Sequence, residues 1–62
     1  MQHHPVTSSR ITSVAYDESA GILEIRFRDN QTLQYIGVPP RIFRDFLLVV
    51  SKGRFYDGVI KG

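Results

Sequence analysis

The sequence predicts a small α+β domain: a three-stranded antiparallel β-meander followed by one α-helix and a short C-terminal extension. Apolar and polar residues alternate over residues 23–28, which is the period of a half-buried strand. Residues 37–40 then bring one glycine and two prolines, which end the sheet. From residue 41 to residue 50, apolar residues recur at helical spacings of one, three and four.

The first predicted strand covers residues 10–16, which are rich in β-branched side chains. Strict alternation divides this strand between two faces, with Thr12, Val14 and Tyr16 on one and Ile11, Ser13 and Ala15 on the other. Residues 17–21 form a loop in which Gly21 can adopt a positive φ.

The second predicted strand covers residues 22–28 and separates a core set from a solvent set. Its core side chains are Leu23, Ile25 and Phe27, and its solvent side chains are Glu24, Arg26 and Arg28. Residues 29–30 are Asp and Asn, which tolerate the left-handed conformation of a two-residue turn. The third strand, residues 31–36, is expected to place Leu33 and Tyr35 on the core face.

The helix is predicted over residues 41–50, with Pro39 or Pro40 in its first turn, where no donor is needed. Its apolar stripe consists of Ile42, Phe43, Phe46, Leu47 and Val50. Lys52 is expected near the negative end of the helix, and Gly53 at the left-handed position that follows the helix.

The length of 62 residues indicates one domain, assigned to residues 8–62 behind a flexible lead-in of residues 1–7. A chain this short buries only about 60% of the surface that its unfolded form exposes, so a further stabilising link is usual. Cysteine is absent, which excludes a disulfide and a thiolate metal site. His3 and His4 are the only histidines and cannot supply the four ligands of a structural zinc site. Self-association is the link that stays open.

Several function classes are excluded or disfavoured by what the sequence lacks. No apolar run approaches the ~20 residues of a membrane span, and residues 1–5 do not form a secretion signal. Together with the lack of cysteine, this predicts a cytoplasmic protein.

No catalytic constellation is visible either. Glu24 and Asp29 are candidate carboxylates, but nothing pairs them across a pocket, and Glu24 is expected to contact Arg26 on the same strand face. No serine lies in a nucleophile elbow, and no glycine-rich phosphate loop is present. We therefore expect no enzyme activity, no metal, no cofactor and no small-molecule substrate.

The charge distribution permits a nucleic-acid partner without requiring one. The net charge is +2, and arginine supplies six of the eight cationic residues. Arginine suits bidentate phosphate contact and stacking on bases, and a sheet with arginines and amides on its open face is a plausible platform for single-stranded RNA. The predicted contact residues are Arg26 and Arg28 with Gln34 and Tyr35, and the outer electrostatic residues are Arg10, Arg41, Arg44 and Arg54. The alternative is that these arginines only solvate the surface.

A second hypothesis comes from the apolar C-terminal end, where residues 54–62 are expected to pack back on the sheet or on a partner chain. The apolar surface there exceeds what one thin layer hides, which is typical of an interface. The candidate interface residues are Leu48, Val49, Phe55, Tyr56, Val59 and Ile60. On this hypothesis the protein is an interaction module that forms a homodimer or docks on a host protein.

Six short segments follow one another along the chain in this order: Ser8-Ser9-Arg10-Ile11, Val14-Ala15-Tyr16-Asp17, Leu23-Glu24-Ile25-Arg26-Phe27, Gln34-Tyr35-Ile36-Gly37-Val38-Pro39, Ser51-Lys52-Gly53-Arg54-Phe55-Tyr56-Asp57 and Ile60-Lys61. With these segments, residues 6–61 resemble the KTSC domain, a module named for the C-terminus of some lysyl-tRNA synthetases. The family also occurs as stand-alone bacterial and phage-related proteins. The resemblance implies a small α+β fold, RNA or tRNA as a partner and no enzyme activity of its own.

The chain departs from the family at the central motif, which is tyrosine, any residue, tyrosine. Leu33 replaces the first tyrosine, and Tyr35 remains. If the pair stacks on a base, this replacement weakens RNA binding. If the pair belongs to the core, leucine is a mild substitution, and the alternation that places Leu33 beside Ile25 favours the core.

Overall fold

The computed structural model describes residues 1–61 and consists of a four-stranded antiparallel sheet with a helical layer on one face. Gly62, the last residue of the predicted domain, lies outside the described residues. The strands follow one another in the sheet in chain order: β1 (His4–Pro5), β2 (Ile11–Asp17), β3 (Ile22–Phe27) and β4 (Thr32–Ile36). The helical layer consists of α1 (Pro40–Leu48), α2 (Lys52–Phe55) and a π-helical segment (Tyr56–Ile60) that continues α2.

The prediction of an α+β fold with an antiparallel meander is confirmed, but the sheet has four strands instead of the three predicted. The additional strand, β1, lies within residues 1–7, where the sequence indicated a lead-in, and it pairs His4 with Val14 and Pro5 with Ser13. Two residues are too few to show a strand period, and proline is expected only on an edge strand because it has no backbone donor. β1 is such an edge strand.

A β-bulge in β2 corrects the predicted division of its faces. Ile11 pairs with Phe27 and Ser13 pairs with Arg26, so one extra residue, Thr12, lies in β2 between two successive residues of β3. The bulge reverses the alternation. Ile11 therefore lies on the same face as Val14, although strict period two placed them on opposite faces.

The hydrophobic core lies between this sheet face and the helical layer. Its buried residues are Ile11, Val14, Leu23 and Ile25 from the sheet and Phe46 and Tyr56 from the helical layer. The core positions predicted for Leu23 and Ile25 are confirmed. Leu33 shares their face but keeps 39% of its surface exposed, because the helical layer does not cover the outer part of β4 as it covers β3. The prediction that Leu33 is a core residue is wrong.

The turns are fixed by residues with a positive φ. Gly21 has a φ of +68°, as predicted, and Gly37 has a φ of +79° after β4. Between β3 and β4, only Asn30 is left-handed, with a φ of 71°, and the loop covers residues 28–31 instead of the two predicted residues. Two backbone hydrogen bonds of Phe27 close this loop. Its carbonyl accepts from the Asn30 N–H at 3.1 Å, and its N–H donates to the Gln31 carbonyl at 2.8 Å.

The helix α1 begins with Pro40 in its first turn, as predicted, and ends at Leu48, two residues before the predicted end. Val50, predicted in the apolar stripe, thus lies beyond the helix and is exposed. Lys52 is near the helix end as predicted: its Nζ donates to the Val49 carbonyl at 2.7 Å. Gly53 lies inside α2 and is not a left-handed terminator.

Residues 52–60 are helical, which corrects the prediction of one helix and a short extension. Tyr56 explains why this segment folds onto the sheet. Its ring packs edge-on against Phe27 at a centroid distance of 5.2 Å and against Tyr35 at 5.9 Å. The aromatic contacts carry the C-terminal segment over the strands, and sequence periodicity cannot show them.

The position of the core gives a matched test of stability. Ile25→Val should lower the free energy of unfolding by about 1 kcal/mol, because Ile25 is 0% exposed and loses a buried methylene. Ile36→Val on the neighbouring strand should change it by less than about 0.5 kcal/mol, because Ile36 is 83% exposed. Urea denaturation of both variants checks this, and equal losses would contradict the position of the core.

Candidate functional site

Two adjoining clefts lie at the end of the molecule where β2, the β3–β4 loop and α2 meet. The first, here called the basic cleft, has a volume of about 560 Å³ and includes residues 7–10 and 50–54. The second, the aromatic cleft, has a volume of about 580 Å³ and includes Leu33, Tyr35 and Tyr56. Arg10 and Arg28 line both clefts. Segments far apart in the sequence therefore form one continuous surface.

The basic cleft combines four cations with hydroxyl groups and has no carboxylate among its lining residues. The cations are Arg10, Arg28, Lys52 and Arg54, and the hydroxyl residues are Thr7, Ser8, Ser9 and Ser51. Ser8 organises the N-terminal wall, because its Oγ accepts hydrogen bonds from the backbone N–H groups of Arg10 at 3.2 Å and Ile11 at 3.3 Å. Such an arrangement of cations and hydroxyl groups suits an oxyanion.

Arg28 is fixed from two sides, although it follows the last residue of β3. Its backbone N–H donates to the Arg10 carbonyl at 3.0 Å, and its Nε donates to the Ser8 carbonyl at 2.7 Å. Within residues 1–61 neither Arg28 nor Arg54 forms an ion pair. The guanidinium groups of these two residues can therefore serve an external acceptor.

Arg10 connects the sheet to the C-terminal helical segment. Its Nη1 and Nη2 donate to the two carboxylate oxygens of Asp57 at 2.8 and 3.1 Å. This bidentate contact lowers the pKa of Asp57 and raises that of Arg10. The Arg10 side chain crosses Gly53, where an added Cβ would lie 3.2 Å from Arg10 Cδ. Gly53 thus gives Arg10 the space to reach Asp57.

The aromatic cleft has a rigid wall made of Phe27, Tyr35 and Tyr56. The hydroxyl groups of Tyr35 and Tyr56 are hydrogen-bonded to each other, and their rings meet at 70°. Burial, followed by this hydrogen bond, raises the pKa of Tyr56 to about 12. Leu33 and Lys61 complete the cleft. A flat apolar ligand with a polar edge fits such a surface.

The other face of the sheet carries a polar network that the sequence did not predict. His3 Nδ1 lies 2.8 Å from Ser13 Oγ, and His3 Nε2 contacts Glu24 Oε2. Gln34 Nε2 donates to Glu24 Oε1 at 2.8 Å. The hydrogen bonds from Gln34 and then from His3 lower the pKa of Glu24. The expected contact between Glu24 and Arg26 is therefore replaced by contacts with His3 and Gln34.

The hydroxyl, imidazole and carboxylate groups of this network follow one another as they do in a nucleophilic centre. The geometry of the network nevertheless favours a structural role. A nucleophile must be accessible to its substrate. Ser13 is only 6% exposed and lines neither cleft. His4, the first residue of β1, lies on the core side with its ring 5.9 Å from that of Phe43 in α1. His3, just before β1, thus contacts the open face of the sheet, and His4 contacts the helical layer.

The residues predicted to contact nucleic acid separate into three groups. Arg10, Arg28, Arg54 and Tyr35 come together around the two clefts. Arg26 and Gln34 lie on the opposite face of the sheet, because they alternate with the core residues of β3 and β4. Arg41 and Arg44 are exposed on α1 and line neither cleft. Lys52 and Lys61 line the clefts but were not predicted, since nothing in their spacing connects them to Arg10.

The candidate interface residues also separate. Tyr56 is buried, while Phe55 and Ile60 are half-buried and pack against the core. Leu48 and Val59 are exposed, and Val49 is half-buried. Nearby Val50, which was not among the candidates, is 97% exposed. The exposed part of the apolar surface is thus smaller than the sequence suggested.

Residues 1–61 also lack two further features. No group of three or more His, Cys, Asp or Glu residues there has the arrangement of a metal site. Of the helices in this range, none has the length and apolar character that crossing a membrane requires.

The raised pKa of Tyr56 predicts a loss of stability in alkali. An unfolded tyrosine has a pKa of about 10, so the folded state holds the Tyr56 proton more tightly. This contribution is fully present below about pH 10 and is lost as the pH rises toward about 12. Urea denaturation at several pH values should show a shallower decline for Tyr56→Phe than for the unmodified protein. Parallel declines would contradict a coupling between Tyr56 ionisation and folding.

Comparisons with known proteins agree with this fold. A protein from Tsukamurella paurometabola is 44% identical over 57 residues, which are 92% of this chain and 85% of that protein. An uncharacterized protein from Stutzerimonas stutzeri is 33% identical over 61 residues, which are 98% of this chain and 86% of that protein.

A solved structure is also similar. The crystal structure of a KTSC domain protein from Yersinia pestis superposes with a TM-score of 0.95 at 57% sequence identity, covering 98% of this chain and 86% of that one. The model of the KTSC domain family matches residues 7–62. The chain therefore belongs to the KTSC domain family.

Proposed function

We propose that this KTSC domain is a non-enzymatic module that binds single-stranded RNA, including the unpaired segments of a tRNA, along the two joined clefts. The observation that supports this most directly is the combination of five cations and three aromatic rings around one continuous surface. The cations can neutralise phosphate groups, and unpaired bases can stack on the aromatic rings.

A single strand suits these clefts better than a duplex. Sequence-tolerant binding of single strands combines a positively charged groove with aromatic side chains on which bases stack. In an RNA duplex the bases are stacked on one another and their faces are closed to a protein ring. Tyr35, which is half-buried in the aromatic cleft, would have no role against a duplex.

The proposed contact surface differs from the one expected from the sequence. Arg26 and Gln34 are not part of it, because they lie on the opposite sheet face. Arg41 and Arg44 on α1 remain as outer charges that attract the strand over a distance. We place the protein in the cytoplasm, where tRNA is present and where proteins do not depend on disulfides, which this chain cannot form.

A second function is favoured by the apolar side chains at the end of α1 and just beyond it. Leu48 is 76% exposed, and Val50 is exposed almost fully. Two such side chains close in sequence are typical of a contact with another apolar surface. We therefore keep, as an alternative, an interaction module that forms a homodimer or docks on a host protein through this patch.

The RNA proposal predicts different effects for two pairs of substitutions that change the charge equally. Arg28→Glu combined with Arg54→Glu should lower affinity for a fluorescent single-stranded RNA at least about tenfold, because both charge-assisted phosphate contacts are lost. The slope of log affinity against log salt should also become shallower by about 1.4, at roughly 0.7 per phosphate contact. Fluorescence anisotropy over a range of salt concentrations measures both quantities.

The matched control is Arg26→Glu combined with Arg44→Glu, which removes the same charge outside the clefts. It should lower affinity only through weaker long-range attraction, by about threefold or less at 0.15 M salt, where such attraction is largely screened. Circular dichroism verifies that both double variants are folded. If the two pairs weaken binding equally, the clefts are not the RNA site.

The alternative predicts self-association through the exposed apolar patch. Light scattering should then give the mass of a dimer at high micromolar concentration, and Leu48→Asp should return the protein to a monomer by placing a charge in the interface. Thr12→Asp, on the exposed β-bulge, is the control for an added charge elsewhere. A monomer at every concentration would eliminate the homodimer.

A further inference from the structure

The two clefts have different chemistry and meet at only two residues. The basic cleft has cations and hydroxyl groups but no aromatic ring, whereas the aromatic cleft has three rings and Leu33. Arg10 and Arg28 form the boundary. A ligand that spans this boundary would join an anionic part to a flat apolar part through a short linker, as the ribose joins the phosphate and the base of a nucleotide.

A nucleotide has this composition. Resting on the proposed binding of single-stranded RNA, we propose that the two clefts divide one nucleotide of the strand between them, with its phosphate in the basic cleft and its base in the aromatic cleft. Each cleft, at about 560 and 580 Å³, is within the usual size range of small-ligand sites. The division goes beyond a general attraction of RNA, because it gives the base and the phosphate separate partners.

The phosphate is assigned to the basic cleft because oxyanion donors point into it and no lining carboxylate repels it. Arg10 shows that the site can hold an oxyanion, because its two Nη groups already donate to the two carboxylate oxygens of Asp57. Asp57 neutralises Arg10, so the phosphate falls to Arg28, Lys52 and Arg54. Lys52 also donates to the Val49 carbonyl, which fixes its ammonium group at the cleft wall.

The base is assigned to the aromatic cleft because its wall is rigid and largely apolar. Tyr56 is held by Phe27 and Tyr35 in edge-on contacts, so the rings are ordered before a ligand arrives. Gln31 and Asp29 at the rim offer an amide and a carboxylate to the polar edge of a base. Asp29 makes this cleft less favourable for a phosphate than the basic cleft, whose lining residues include no carboxylate.

The test uses two probes of equal length: a single-stranded oligouridine RNA and a base-free phosphodiester oligomer. Their affinities are measured by fluorescence anisotropy at low and physiological salt. Four variants are compared, namely Tyr35→Leu and Leu33→Tyr in the aromatic cleft, Arg54→Gln in the basic cleft, and Arg44→Gln on α1 as the charge-matched control.

The two clefts should give different signatures. Tyr35→Leu should weaken binding of the RNA by about five- to 150-fold and leave the base-free oligomer unchanged, because stacking on the ring is lost. Leu33→Tyr adds a ring at an exposed position of the same cleft and should strengthen binding of the RNA alone, by about fivefold. Because Leu33 is not buried in the core, this gain does not depend on a variant that disturbs folding.

Arg54→Gln should weaken both probes by the same factor and make both salt slopes shallower by about 0.7, while Arg44→Gln should leave both slopes unchanged. If the unmodified protein binds neither probe at low salt, both the proposed function and the division fail. If it binds both probes but the aromatic-cleft variants change their affinities equally, RNA binding stands and the division of the nucleotide is overturned. Selective changes with Tyr35→Leu and Leu33→Tyr support it.

Discussion

The arrangement of both clefts depends on the contact between Arg10 and Asp57. Arg10 lies just before β2, crosses Gly53 of α2 and binds Asp57 of the π-helical segment, and its carbonyl accepts the Arg28 N–H. An exposed ion pair of this kind contributes little to stability. Its importance is therefore positional: it holds the C-terminal segment against the start of the sheet and forms the boundary between the clefts.

The chain has no cysteine, so no disulfide contributes to its order. The core between the sheet and the helical layer is supplemented at the edge by β1, where His3 contacts Ser13 on the open sheet face and His4 contacts Phe43 of α1. At the other end, Tyr56 packs against Phe27 and Tyr35 and carries the C-terminal segment over the strands. These polar and aromatic contacts link the chain ends to the sheet in a domain that has little apolar surface to bury.

The sequence predicts this fold where local patterns decide it and fails where a partner strand or a distant segment decides it. The alternation through Leu23 and Ile25 identifies the core face of β3, but the bulge that brings Ile11 to the same face depends on pairing with β3. Periodicity assigns Leu33 to a face and cannot tell that the side chain stays 39% exposed there. The clefts could not be predicted from local sequence patterns, because their walls come from residues about forty positions apart. The arginines were identified by type, and their grouping required the structure.

RNA binding along the two clefts is tested most directly by an NMR titration of the labelled protein with a short single-stranded RNA at low and then physiological salt. We expect chemical-shift changes concentrated on the residues of the two clefts, in particular the backbone amides of Arg10, Arg28 and Arg54, that diminish as salt increases. Changes centred on Arg26 and Gln34 would instead place the RNA on the other sheet face and contradict binding in the clefts. An absence of changes at both salt concentrations would remove RNA as the partner and shift attention to the apolar patch at Leu48 and Val50.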